Sequence, residues 1–210
     1  MVAAFRRMNR AALNGRMSVV GTPHVSPRDM RSDALRNQEM LIRAATAAIH
    51  REGLRVPMGT IAADAGVGVG TLYRHFPTRD HLLNHLTHQS FERVLANARD
   101  ADREGATPID SLRHFVDAAI SQRNELVLPP HGGPPLTSPA TAAVRSEVHH
   151  ILRRIIDRGL ADNTLRPGIT ARDIVVFGAM LAQPRPADPG WDTSCRRLLA
   201  TYLQGCAPSP

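Results

Sequence analysis

Two stretches of this 210-residue chain carry side chains whose types and spacing suit chemistry. The first is Gly68-Val69-Gly70-Thr71-Leu72-Tyr73-Arg74-His75-Phe76. Leu72 and Phe76, four apart, anchor one face of a helix and leave Gly68, Gly70, Thr71, Tyr73, Arg74 and His75 for its outer face and start. Thr, Tyr, Arg and His all donate well to phosphate oxygens or base edges. Each glycine costs a helix about 1 kcal/mol relative to Ala. Close approach of the backbone to a phosphate or groove wall would offset that cost. The second stretch sets His81, His85, His88 and Glu92 at i, i+4, i+7 and i+11, on one helix face. That spacing suits a transition metal, a solvated face opposite Leu82, Leu83 and Leu86, or a partly protonated stripe beside DNA. No cysteine lies nearby, and no metal site is expected.

Nothing in the chain assembles a catalyst. It has no Gly-rich phosphate loop, no G-x-S-x-G and no H-E-x-x-H. Asp100 and Asp102 sit two apart and cannot share a helix face. The two cysteines, Cys195 and Cys206, exclude a disulfide framework and a cysteine-only zinc cage. Cys206, in a Pro-containing terminal stretch, reads as too mobile for a redox site. The expectation is therefore a binding protein, not an enzyme, and one without a cofactor.

The elements that would position these residues are helices, and no strand alternation is convincing. Leu41, Ile42, Ala45, Ala48 and Ile49 follow helical spacing up to a stop at Gly53. A short segment, Met58 to Ala65, is interrupted by Gly66-Val67. A second, Val69 to Phe76, ends at Pro77, and Thr78 caps the next helix, with Pro57 as the first helical residue of the earlier segment. Two short helices joined by a Gly-containing turn describe a helix-turn-helix.

All 26 basic residues are arginine, the net charge is +7 and the isoelectric point is about 11.0. Residues 1–31 hold six Arg and only Asp29, so most of the excess lies in one tail, read as disordered. That tail suits a solvated extension, a DNA-assisting arm or an Arg-rich targeting peptide. No apolar run approaches the length that crosses a bilayer, so no membrane partner and a cytoplasmic, nucleoid-associated location are expected.

The run Ile61-Ala62-x-x-Ala65-Gly66-Val67, followed by Gly70-Thr71-Leu72-Tyr73-Arg74-His75-Phe76-Pro77-Thr78-Arg79, resembles the DNA-binding domain of TetR-type transcriptional repressors. The resemblance covers about residues 35–90. It implies that the second short helix enters the major groove of double-stranded DNA. Thr71, Tyr73 and His75 would then hold phosphates or bases, and Arg79 would replace a phosphate-binding lysine. The family often has Ser and a polar residue where this chain has Gly68 and Val69; Val69 suits a thymine methyl.

The remainder reads as further helices: Pro108 to about Leu128, Ala140 to Arg158 with a stop at Gly159, Thr170 to Leu181 with Asp173 in a capping box, and Trp191 to Leu203. Residues 129–135 must be a loop. The expected fold is all-α: a tail (1–31), a three-helix helix-turn-helix domain (32–88) and a helical ligand-binding and dimerisation domain (89–205). The helix after Thr170 is apolar almost all round, so it is buried on more than one side, either as the domain's central core helix or between the local core and a partner subunit. The expected dimer face comprises Ile174, Phe177, Met180, Leu181, Leu198, Leu199 and Tyr202, and the resemblance implies that the last two helices pair with the partner's.

A pocket among residues 90–182 is likewise implied by the resemblance. Arg123 continues the apolar register of Ile109, Leu112, Val116 and Ile120, and suits either a ligand anchor or an ion pair with Glu147. His114, Asp117, Glu147 and Phe177 complete the candidate lining. The function implied is a homodimeric repressor on a two-fold symmetric operator, released by a small apolar or amphipathic effector. A metal- or redox-responsive regulator on the same scaffold, or an activator, is the alternative.

Overall fold

Among the described residues, proline, glycine and short polar caps bound eight α-helices. The computed structural model describes residues 27–103, 107–129, 135, 137–184 and 188–208, with side chains described from residue 36. The chain divides into Met1–Arg36 and Asn37–Pro210. Of the former only the opening turns of α1 are described; most of the expected tail, residues 1–26, lies outside the described residues.

Helix α1 runs Pro27–Glu52, so it begins inside the stretch read as tail. Gly53, at φ +84°, ends it where a side chain would be strained. Helix α2 (Met58–Asp64) starts directly after Pro57, which precedes the first helical residue and does not occupy it. It closes on Gly66, at φ +68°. The Gly66 and Val67 amides donate to the carbonyls of Ala63 and Ala62, both at 3.0 Å. This paired closure satisfies two otherwise orphaned carbonyls and turns the chain sharply. Helix α3 (Val69–His75) follows, and Thr78 caps α4 (Arg79–Ala101) by accepting from the His81 amide at 3.1 Å.

Leu41, Ala45, Ile61, Leu72, Phe76, Leu82 and Leu86 meet in one buried core. Further along α4, Leu95, Ala98 and Ala101 join a second core. One helix is thus shared by both cores.

The second core is built on α5 (Pro108–Ser121), α6 (Pro139–Ala161), α7 (Ala171–Leu181) and α8 (Trp191–Gln204). Thr170 and Asp173 form the expected capping box. Two expectations fail here. Helix α5 stops at Ser121 and not near Leu128: a 3-10 turn (Arg123–Glu125) redirects the chain, and Leu126 is extended. Gly159 does not end α6. It is buried within it, and a Cβ there would lie 2.5 Å from Leu165 and 3.0 Å from Pro108. The glycine permits a close crossing, which a sequence reads as a stop.

Candidate nucleic-acid interface and regulatory cavity

Helix α3 is held from beneath. Leu72 and Phe76 are fully buried, while Val69 and Tyr73 keep 47% and 46% of their surface. Arg74 is exposed and Thr71 and His75 are half-buried. Around the positions where Gly68 and Gly70 would carry a Cβ there is nothing within 4 Å, and neither has a positive φ. Neither backbone strain nor internal packing calls for glycine at these sites. Arg79 is partly committed: its Nη1 donates to the Leu54 carbonyl at 2.8 Å, tying the start of α4 to the α1–α2 connection.

The histidine stripe divides among separate duties. His85 packs its ring 5.3 Å from that of Phe76. Burial, then the neighbouring His81 and His88, hold its pKa below the ordinary imidazole value. His88 Nδ1 lies 3.0 Å from Thr141 Oγ1 on α6, and its Nε2 lies 3.5 Å from Glu92. Among the described residues no three His, Cys, Asp or Glu side chains converge as metal ligands would.

A cavity of about 490 Å³ opens between α4, α5, α6, α7 and the segment after the 3-10 turn. Phe91, Val94, Phe115, Ala119, Leu126, Leu128, Val148 and Val175 give it an apolar wall, and Arg145, His149 and Arg172 are its charged or titratable members. Arg145 and Arg172 make no ion pair among the described residues. Burial, then Arg145, Arg153 and Arg172, push the His149 pKa down. Among the described residues, no acidic side chain pairs with this local excess of positive charge.

The residues expected to line a pocket mostly lie elsewhere. Arg123 is buried, but its Nη1 pairs with Asp192 at the start of α8 at 3.0 Å, and its Nε donates to the Ile120 carbonyl at 2.8 Å. The end of α5 at Ser121 removes it from the helical register that aimed it inward, and no Arg123–Glu147 pair forms. Glu147 is half-exposed on α6 and absent from the cavity wall. His114 and Asp117 border a shallow depression between α5 and α8, where Asp117 accepts from Arg196 Nε at 2.7 Å. Phe177 stacks on Tyr202, ring centroids 4.0 Å apart. The cavity's lining consists largely of plain apolar positions such as Phe91 and Phe115, which a sequence presents as core.

The expected dimer face divides likewise. Ile174, Leu181 and Leu199 are buried in the chain's own core, while Met180, Leu198 and the unanticipated Val176 keep 63%, 50% and 49% of their surface. Cys206 is not mobile: it is buried, and its carbonyl accepts from the Arg166 amide at 2.9 Å. Asp102, at the end of α4, is 9% exposed and accepts from Arg154 and Arg158 of α6. Burial opposes its charge, but the two guanidinium hydrogen bonds prevail and hold its carboxyl below the usual range. Among the described residues, no helix is long and apolar enough to cross a membrane.

Two short helices joined through a glycine closure, the second presenting a polar, open side, make this a helix-turn-helix protein. The family model described as bacterial regulatory proteins, tetR family, matches residues 41–86, the segment that contains both short helices. A transcriptional repressor from Mycolicibacterium smegmatis, KstR, is 37% identical over 107 residues, covering 49% of this chain and 52% of the relative. The chain thus spans about half the length of the curated relatives it matches. In fold it is similar to the ketosteroid transcriptional regulator KstR2 of Mycobacterium tuberculosis (TM-score 0.65, 20% identity, 83% of this chain and 96% of that one). It is similar also to the transcriptional regulator FadR of Bacillus subtilis in complex with stearoyl-CoA (TM-score 0.60, 17% identity, 80% and 96% covered).

Proposed function

We propose that the chain is a DNA-binding transcriptional repressor that acts as a homodimer on a two-fold symmetric operator and is released by a small amphipathic effector. The observation that carries this reading is the open side of α3. Val69 and Tyr73 stand exposed on a helix anchored by Leu72 and Phe76, beside two glycines that nothing inside the chain requires. A groove wall is the surface that such a side fits. Thr71, Arg74 and His75 would add phosphate or base contacts, and the remaining donors of Arg79 would reach phosphate. Exposed Val176, Met180 and Leu198, beside the Phe177–Tyr202 stack, supply an apolar face for the second copy.

The effector is an apolar body with an anionic head. The cavity wall takes the body, and Arg145 and Arg172, which pair with no acidic side chain among the described residues, take the head. The names of the similar proteins, which speak of a ketosteroid and of stearoyl-CoA, agree with a largely apolar occupant. Selection of bound duplexes from a random pool by purified protein tests the core of the reading. The expected product is a two-fold symmetric motif; a folded protein that enriches no duplex overturns it.

A further inference from the structure

We propose that the extended segment Leu126-Val127-Leu128 is the element that carries cavity occupancy to the DNA-binding domain. This rests on the repressor reading above and names its internal route. In an extended segment successive side chains point to opposite sides. Here that alternation separates two functions. Leu126 and Leu128 form part of the cavity wall and pack with Phe91. Val127, between them and 2% exposed, is inserted into the core made by Leu41 to Leu86. Among the described residues it is the one member of that core from beyond α4.

The backbone of the same three residues is pinned to the DNA-binding side as well. His50, in the last turn of α1, donates from Nε2 to the Leu126 carbonyl at 2.8 Å. The Val127 amide donates to Ser90 Oγ at 2.9 Å. Ser90 in turn donates to the Leu86 carbonyl at 2.7 Å, inside α4. An occupant that presses on Leu126 or Leu128 therefore acts on a segment whose only opposite face is the core seating α2 and α3. A close-packed core does not absorb such a push; it shifts as a unit. Helix α1 takes the load directly through His50 and carries Leu41, Ala45 and Ile49 with it.

Filling the cavity by substitution tests this without an identified effector. Ala119→Trp places an indole in the cavity from α5. With a duplex selected from the random pool, Ala119→Trp is expected to weaken binding at least tenfold. Val127→Ala should cancel most of that loss, leaving the double variant within threefold of Val127→Ala alone. His50→Ala should do the same in part. An equal loss in both backgrounds, or no loss from a folded Ala119→Trp protein, overturns the proposal. If Ala119→Trp does not fold, Val175→Trp fills the same cavity from α7. A readout that needs no DNA is hydrogen exchange in residues 46–52: it should change in the filled variant and revert when Val127→Ala is added. Unchanged exchange in a folded, filled protein also overturns the proposal. Failure of the pool to yield any duplex counts instead against the repressor reading, and the exchange result then stands alone.

Discussion

Helix α3 and the apolar cavity use opposite strategies to present their side chains. At α3 the useful groups are polar, exposed and contiguous within a dozen residues, and burial of only Leu72 and Phe76 aims them. At the cavity the useful surface is apolar and drawn from four helices and an extended segment, with Arg145, His149 and Arg172 as its polar members. A local site tolerates change in the rest of the chain. A distributed one depends on every crossing that sets its walls. The two should therefore respond independently to removal of their own polar groups, whereas filling the cavity or changing what joins the two should reach both.

The largest effect is expected from removing both cavity arginines. A charge-assisted hydrogen bond contributes about 1.5–3 kcal/mol, so the Arg145→Ala, Arg172→Ala pair should weaken binding of a long-chain carboxylate probe by about a hundredfold. DNA affinity of the effector-free protein should not change; calorimetry and fluorescence anisotropy measure the two. A double variant that holds the probe as tightly as the parent removes the anionic head from the proposed effector's description. Tyr73→Ala is the mirror experiment. It should cost about 1–3 kcal/mol of DNA binding, tenfold or more, and leave effector binding and the melting temperature in place. Unaltered DNA affinity would mean that α3 is not the reader.

Asp102 tests what joins the regions, since it ties the end of α4 to α6. Asp102→Asn should lower stability by about 1–3 kcal/mol at neutral pH. Its folded pKa is depressed from 3.8, so the charge contributes stability above that value and loses it as pH falls through the lower folded pKa. Denaturant titrations should show the gap between parent and variant closing in that acidic window; a gap that persists below it denies the ion pair its role. The smallest effect has two signs. Gly70→Ala should stabilise the fold by about 0.5–1 kcal/mol, because the glycine has open space and ordinary φ. The same change should weaken DNA binding by putting a methyl between backbone and groove. A variant improved in both respects would leave the glycine without a binding role.

Reading the sequence recovered the elements around α3 far better than those around the cavity. Gly53, Gly66, Pro77, Thr78 and the Thr170–Asp173 box are short-range signals, and the helices they bound came out as expected. The end of α5 did not: apolar Ile120 and Leu126 to Leu128 flank the polar stretch Ser121 to Glu125, where the chain leaves the helix and Arg123 pairs with Asp192, far along the chain. Gly159 misled for the same reason: its partner is Leu165, reached only by folding. Arg123, His114, Asp117 and Glu147 attracted attention as polar residues beside apolar registers, yet polar residues there mostly serve helix ends and surface pairs. On α7 and α8 the apolar character was legible, but not its division: Ile174, Leu181 and Leu199 turn inward while Val176, Met180 and Leu198 turn out. Composition says that a helix has two apolar sides; only packing says which neighbour each one has.

The presence of Val127 in the core beneath α3 bears on how DNA specificity can be exchanged between relatives. A chimaera that imports residues 32–88 alone leaves behind one side chain of that core and cuts α4 (Arg79–Ala101) in mid-course. Such a graft inherits a mismatched plug. Retargeting this scaffold to a new operator should work best when only the outward residues of α3 are replaced, or when the donor's counterpart of Val127 travels with its reading head.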